Sequence, residues 1–288
     1  MRKILPTILL VLLLTCGLGL LLYPSVSNWW NEMHSSRSVA SYQDAISTID
    51  PELKAKYWAD AKAYNDSLIG NPSRLKIRDD PSAMELYNSI LDFDTGGMMG
   101  YVSIPSIEVS IPIYHGTEDN VLQVAVGHLE GTSMPIGGPG THVALSGHTG
   151  LPSAELFTHL TDVVVGDTFI LYILDEKMTY QVDQILVVLP TEMESLAIDK
   201  DKDECTLITC TPYGVNTHRL LVRGHRIANA DEAGTIKAPD ADATKLDTAF
   251  TAIIIMAPAM LIYILVAGRG GKKAKKKKGK PKNKEESA

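Results

Sequence analysis

Residues 206–224 read TLITCTPYGVNTHRLLVRG. An apolar, β-branched run ends at Cys210, a turn containing Pro212 and Gly214 follows, and a second apolar run returns. Such runs on either side of a Pro- and Gly-containing turn predict two paired strands. The return strand brings Arg219 back toward the end of the first strand, where Cys210 lies.

Further short runs of the same kind fill residues 98–228, and Ile-Pro and Gly-Gly-Pro-Gly turns separate them. Together with the two strands above, the predicted strands are 100–104, 109–114, 142–146, 169–174, 179–189, 205–210 and 220–227. We expect one short helical insert around residues 154–160. Many short strands with little helix predict a mostly β fold, a closed or nearly closed barrel.

Residues 24–97 precede this domain and have a helical character. Apolar residues recur at helical spacing in residues 39–49 and again in residues 53–64. Pro51 lies where the second helix would begin, which is the helical position that proline tolerates best. We expect residues 71–81 to form an exposed loop.

The N-terminal segment, residues 1–23, predicts a membrane anchor. Residues 4–23 are almost uninterruptedly apolar and follow Arg2 and Lys3, and about 20 such residues span a bilayer core. The alternative is a cleaved signal peptide, but bulky side chains fill residues 20–23, where a signal peptidase needs small ones.

The C-terminal part predicts a linker over residues 229–249, a second transmembrane helix over 250–268 and a Lys-rich tail over 269–288. The alternative for the second run is an amphipathic or core helix. The abrupt basic flank favours a membrane helix with a cytoplasmic tail. We therefore expect both termini in the cytoplasm and the domain between them outside the cell, at the cell membrane.

Charge is distributed unevenly along the chain. The net charge is −7, but the tail contributes +8 and Arg2 and Lys3 contribute +2, so the part between carries −17. Such an acidic domain argues against a nucleic-acid partner and favours a cationic substrate. Beside a membrane helix, the basic tail is expected to meet anionic lipid.

The chain has three cysteines, too few for a disulfide-stapled secreted fold. Cys16 lies in the predicted anchor. Cys205 and Cys210 lie five residues apart in one predicted strand, so their side chains point to opposite faces and cannot easily bridge. A free thiol outside the cell suggests a catalytic nucleophile, although a small buried hydrophobic residue is the alternative.

Residues 144–152, ALSGHTGLP, carry His148 from a predicted strand into a Gly-rich loop. A histidine at a strand end beside glycines is placed to be exposed and to titrate near neutral pH. The alternative is a surface or capping histidine.

No cofactor or metal is predicted. The sequence has no P-loop and no Gly-x-Ser-x-Gly elbow. Cys210 with His218 and His225, or His142 with His148, could supply metal ligands, but none stands at a recognised zinc spacing.

Taken together, these segments resemble the sortase family, and more closely its pilus-assembling class C. The resemblance rests on the Thr-Leu-x-Thr-Cys strand, the Pro-Tyr-Gly turn, an arginine nine residues after the cysteine and the Ser-Gly-His-x-Gly loop. It covers residues 100–227 and includes IPIYHG at 111–116 and VGHLEGT at 126–132. It implies a sortase-type closed β-barrel of about eight strands with N-terminal helices.

The resemblance also implies roles for three residues. Cys210 would attack the Thr-Gly carbonyl of a Leu-Pro-x-Thr-Gly-like (LPXTG-like) sorting signal, His148 would protonate the leaving amine, and Arg219 would stabilise the oxyanion. A lysine amine of a pilin or surface protein would resolve the thioester, and repetition would build a pilus. Arg223, on the same strand face, is the alternative cation. His128, His142 and His218 would be structural or supporting groups, and Cys205 a core thiol.

Class C sortases usually carry an N-terminal lid with an Asp-Pro-aromatic motif. Here the matching residues are Asp80, Pro81 and Ser82, so serine replaces the aromatic residue. The expectation is a lid over residues 75–83, held by an ion pair between Asp80 and Arg219 and closing loosely.

Three alternatives to pilus polymerisation remain open at this point. The chain could attach finished proteins to the cell wall, hydrolyse the thioester as a cysteine protease, or be a non-catalytic, membrane-tethered binding barrel.

Overall fold

Eight strands close into one barrel in the computed structural model, which describes residues 5–93 and 96–229. In chain order they are β1 (Met98–Ile104), β2 (Val109–His115), β3 (Val126–His128), β4 (Thr141–Ser146), β5 (Thr168–Ile173), β6 (Glu176–Val188), β7 (Asp203–Thr211) and β8 (His218–Arg226). Around the barrel they follow the order β1-β2-β3-β4-β7-β8-β6-β5. The predicted closed barrel with N-terminal helices is confirmed.

The pairing of β4 with β7 determines where the functional end of the barrel lies. These strands are parallel, with Ser146 opposite Ile208, and β2 pairs in parallel with β3. The other neighbouring strands are antiparallel. Because β4 and β7 run in the same direction, both end at the same rim of the barrel.

Side chains of β7 alternate between the two faces of the barrel wall. Cys205 and Leu207 point inward and belong to the main apolar core. Ile208 belongs to a separate small cluster on the outer face. Since side chains alternate along a strand, Cys210 shares the outer face with Ile208.

The N-terminal helices pack beside the barrel: α1 (Leu5–Ser47), α2 (Pro51–Leu68) and α3 (Pro81–Ser89). Asp50 and Asp80 cap α2 and α3, since each carboxylate accepts hydrogen bonds from amides of the first turn, and proline follows each cap. Shorter helical segments are α4 (Asp119–Leu122) and 3-10 turns at Arg74–Asp79, Pro105–Ile107, Thr158–Asp162 and Glu194–Leu196.

Two local predictions need correction. Residues 71–81 were expected to be an exposed loop, but Arg74–Asp79 is a 3-10 helix whose Arg74 is half-buried against the barrel. The helical insert expected around residues 154–160 is a 3-10 turn at Thr158–Asp162. Both segments are held by contacts with distant residues, which local sequence does not reveal.

Helix α1 runs without a break from the predicted anchor onto the barrel. It is the one helix in the described part of the chain that is long and apolar enough to cross a membrane. Its later turns bury Val39, Tyr42 and Ile46, and Asn28 Oδ1 accepts a hydrogen bond from the amide of Glu155 at 2.9 Å. The predicted linker beyond Asn229, the second transmembrane helix and the Lys-rich tail lie outside the described residues.

Candidate active site

Cys210 and Arg219 lie directly opposite each other on β7 and β8. Residues opposite each other in an antiparallel pair have Cα atoms about 4.5–5.5 Å apart and side chains on the same face. Both side chains are half-buried. The strand register therefore brings a guanidinium beside the thiol.

Arg219 forms no ion pair with a carboxylate of the described residues, 5–93 and 96–229. Its Nη1 atom donates to the carbonyl oxygens of His218 at 3.1 Å and Asn216 at 3.4 Å. Arg223, the alternative cation, lies opposite Thr206 and donates to both carboxylate oxygens of Asp183, at 3.0 and 3.2 Å. Arg219 thus has donors left for another anion, whereas the charge of Arg223 is balanced.

The loop that carries His148 is fixed to the end of β7. The amide of Gly147 donates to the carbonyl of Ile208 at 3.0 Å, and the hydroxyl of Thr209 donates to the carbonyl of Gly147 at 2.8 Å. The carbonyl of His148 accepts from the amide of Phe157 at 3.1 Å. These bonds hold His148 at the same rim as Cys210.

Thr209 and Gly147 are supporting residues that sequence reasoning did not identify. The side chain of Thr209 is buried, unlike that of its neighbour Cys210. Gly147 has no room for a larger residue, because a Cβ atom there would lie 2.7 Å from the ring of Phe157. A tight loop next to an aromatic core residue thus fixes the backbone immediately before His148.

Cys205 and His128 are fully buried. Burial raises the pKa of the Cys205 thiol well above its usual value. His128 is fully buried, and burial lowers its pKa to about 4. It contacts the hydroxyl of Tyr87 and the carbonyl of Ser133, at 3.0 and 2.8 Å. His218 lies at the first position of β8, opposite Thr211.

A small apolar cluster covers the outer face beside Cys210. We call it the outer apolar cluster; its buried members are Ala144, Leu196, Ile208 and Leu221, flanked by Leu129, Leu186 and Val188. Ile208 and Leu221 lie opposite each other, two residues along from the pair formed by Cys210 and Arg219. Successive residues on one face of a strand are about 7 Å apart. A buried apolar cluster with a half-buried edge therefore lies next to the thiol.

The segment expected to be a lid is held to the barrel by Arg78. Arg78 donates to Glu130 Oε1 from Nε and Nη2, at 3.0 and 2.6 Å. The carboxylate of Asp80 accepts from the amides of Ser82 and Ala83 at the start of α3, and no ion pair joins it to Arg219 within the described residues. The lid over residues 75–83 thus stays a prediction.

Replacing Arg78 with methionine is expected to lower the free energy of unfolding by about 2 kcal/mol, because it leaves a buried carboxylate without its cation. The side chain of Glu130 is 2% exposed, whereas that of Arg78 is 47% exposed. Adding Glu130→Gln to Arg78→Met should recover part of the loss. Denaturant unfolding measures both changes, with the exposed Lys76→Met as the control. Equal midpoints for Arg78→Met and Lys76→Met would contradict this account.

Comparisons with known proteins agree with this fold. Residues 102–227 match the family model described as Sortase domain. Sortase A of Bacillus anthracis is 33% identical over 147 residues, which are 51% of this chain and 67% of that protein.

Solved structures give closer matches. The crystal structure of sortase C1 from Streptococcus agalactiae is 48% identical with a TM-score of 0.63, covering 67% of this chain and 99% of that one. Sortase C1 of GBS pilus island 1 is 40% identical with a TM-score of 0.61, covering 70% of this chain and 96% of that one.

The barrel and these matches define a cysteine transpeptidase. The chain belongs to the sortase family, within its class C.

Proposed function

We propose that this sortase cleaves an LPXTG-like sorting signal between Thr and Gly and transfers the acyl group to a lysine amine of a pilin, so that pilus subunits are polymerised on the cell surface. The observation that carries the proposal is the pairing of Cys210 with an Arg219 that has no carboxylate partner in the described chain. His148 is held at the same rim by the bonds of Gly147 to β7.

In the first step the thiolate of Cys210 attacks the carbonyl carbon of the Thr residue. A carbon–sulfur bond forms, the carbonyl oxygen becomes an oxyanion, and Arg219 donates to that oxygen. The Thr–Gly carbon–nitrogen bond then breaks, and His148 gives its proton to the leaving glycine amine. The product is a thioester on Cys210.

In the second step a neutral amine attacks the thioester carbon. His148 accepts the proton of that amine, the carbon–sulfur bond breaks, and an isopeptide bond forms when the amine belongs to lysine. The acidic character of the part of the chain between its basic ends, −17 in net charge, favours the approach of a cationic acceptor. One similar protein is the sortase C1 of a pilus island, which supports a pilin as the acceptor.

The half-buried edge of the outer apolar cluster, formed by Leu129, Leu186 and Val188, is the proposed contact for the apolar part of the sorting signal. Cys210 and Ile208 share one strand face, so a peptide whose scissile carbonyl reaches Cys210 passes beside this cluster. Helix α1 would anchor the enzyme in the membrane, with the barrel outside the cell and both termini in the cytoplasm.

The test is product analysis with the full-length chain. A peptide containing Leu-Pro-x-Thr-Gly is incubated with and without a pilin domain that carries an acceptor lysine, and the products are identified by mass spectrometry. We expect the Thr-lysine isopeptide to dominate when the acceptor is present. Hydrolysed peptide alone would indicate a protease, and transfer to a cell-wall peptide but not to the pilin would indicate wall attachment.

A further inference from the structure

The connection between β6 and β7, residues 189–202, has little buried surface, although Ile198 packs against the main core and the carbonyl of Lys202 accepts from the amides of Gly140 and Thr141. Leu196 is the single residue of this segment that is buried. Its side chain packs on the outer apolar cluster, against β4, β7 and β8. A segment with so little buried surface is expected to be mobile unless other bonds restrain it.

Two side chains supply such bonds, to two consecutive carbonyl groups of the connection. Arg74 Nη2 donates to the carbonyl oxygen of Leu196 at 2.5 Å. His142 Nδ1 donates to the carbonyl oxygen of Ala197 at 2.9 Å. The two donors come from different parts of the chain, the 3-10 helix Arg74–Asp79 and strand β4.

Arg74 also binds the connection between β3 and β4. Its Nη1 atom donates to the carbonyl oxygen of Gly131 at 2.9 Å, in the connection between β3 and β4. Gly131 has a φ of +79°, and a Cβ atom there would overlap the carbonyl oxygen of Arg74. The Arg74 backbone thus lies directly on Gly131, and its guanidinium joins the two connections on either side of the outer face.

His142 is built into the barrel wall in a neutral form. It is 1% exposed, and its Nε2 atom accepts from the hydroxyl of Thr206 at 2.8 Å. Burial lowers the pKa of His142, and the charges of Arg223 and Arg74 act in the same direction, against the effects of its bond to Ala197 and of Glu204. A neutral ring with one donor and one acceptor nitrogen matches these two partners.

We propose that Arg74 and His142 are positioning residues for the sorting signal: by fixing the carbonyls of Leu196 and Ala197, they hold the connection between β6 and β7 in the place where it borders the bound peptide. The inference rests on the proposed function, because it assigns the peptide to the face that carries Cys210. Neither residue contacts the thiol, the imidazole of His148 or the guanidinium of Arg219 in the described structure.

The expected effect is on substrate affinity and not on the chemical step. If the connection between β6 and β7 is already ordered, peptide binding costs no conformational entropy there. A mobile connection must be ordered when the peptide binds. Loss of either bond should therefore raise KM. The rate of acyl transfer from the bound peptide depends on Cys210, His148 and Arg219, so kcat should stay nearly constant.

The test compares matched variants of the full-length chain with a Leu-Pro-x-Thr-Gly peptide. Arg74→Met removes both bonds of the guanidinium, and Lys76→Met removes the same charge from an exposed position of the same 3-10 helix. His142→Leu removes the donor to Ala197, and His142→Asn keeps a donor near the position of Nδ1. We expect KM to rise about tenfold in Arg74→Met and His142→Leu, while kcat stays within about twofold of wild type. In Lys76→Met and His142→Asn, KM should stay near the wild-type value.

Hydrogen exchange of the amides in residues 189–202 provides a second readout that needs no turnover. Exchange should be faster in Arg74→Met and His142→Leu than in the two controls. An unchanged KM with wild-type exchange would overturn the proposal, as would a fall in KM in Arg74→Met, since that would mean that Arg74 obstructs the peptide. If the wild-type chain turned over no such peptide, the proposed function would fail, and the exchange rates would still decide whether the two residues restrain the connection.

Discussion

Cys210→Ala is expected to abolish turnover of a sorting-signal peptide, lowering the rate by at least about 10³-fold, because no other group at this rim can form the thioester. The fold should survive, since Cys210 is half-buried and its side chain lies on the outer face of β7. A fluorogenic peptide measures the rate, and intact mass detects the thioester adduct. In the native cell, high-molecular-weight surface polymers should disappear from a blot.

Cys205→Ala is the matched control for this prediction. Cys205 lies on the same strand, but it is fully buried in the barrel interior, and burial raises its pKa well above the usual value for a thiol. Cys205→Ala should lower the stability somewhat, but it should still form the thioester adduct on Cys210 and keep most of the turnover. Retention of the surface polymers in Cys210→Ala cells would contradict pilus polymerisation as the sole role of this enzyme.

Arg219→Gln is expected to lower kcat/KM by about 10²–10³-fold, because the developing oxyanion loses its charged donor. The kcat/KM of Arg219→Lys should lie between those of wild type and Arg219→Gln, since a lysine keeps the charge but lacks the two parallel donors of a guanidinium. The loss should appear mainly in kcat, because the charge it stabilises exists only in the transition state.

Arg223→Gln is the comparison that tests which of the two arginines stabilises the oxyanion. Arg223 lies on the same strand face but is bound to Asp183 and lies opposite Thr206. Its replacement should reduce stability and leave kcat within a fewfold of wild type. A larger fall in kcat for Arg223→Gln than for Arg219→Gln would reverse the assignment of the oxyanion-stabilising residue.

The sequence predicted the barrel and the relative placement of Cys210 and Arg219, because both follow from local patterns. β-Branched runs and turn residues mark the strands, and the Pro- and Gly-containing connection of residues 212–217 returns the chain toward Cys210. The three-residue strand β3 was missed, since so short a segment has no recognisable alternation. The partner of the second cation, Asp183, was not predicted, because it lies 40 residues from Arg223 in the chain.

The contacts that were not predicted join residues far apart in the chain. Arg74 and Leu196 are 122 positions apart, and Gly147 and Thr209 are 62 positions apart. No periodicity or motif links such pairs, so residues 71–81 looked like an exposed loop. The Asp-Pro pair at Asp80 and Pro81 fits both a lid motif and the cap of a helix, and its described contacts are those of the cap.

The unbroken helix α1 determines the distance between the predicted membrane anchor and the catalytic rim. Asn28 contacts Glu155, in the loop that continues from His148, and it lies five residues beyond Tyr23, the end of the predicted anchor. At 1.5 Å per residue, this contact lies about 8 Å along the helix beyond the end of the predicted anchor. With the membrane anchoring proposed above, the catalytic rim would lie close to the headgroups, where it would meet a sorting signal whose own chain has only just left the bilayer.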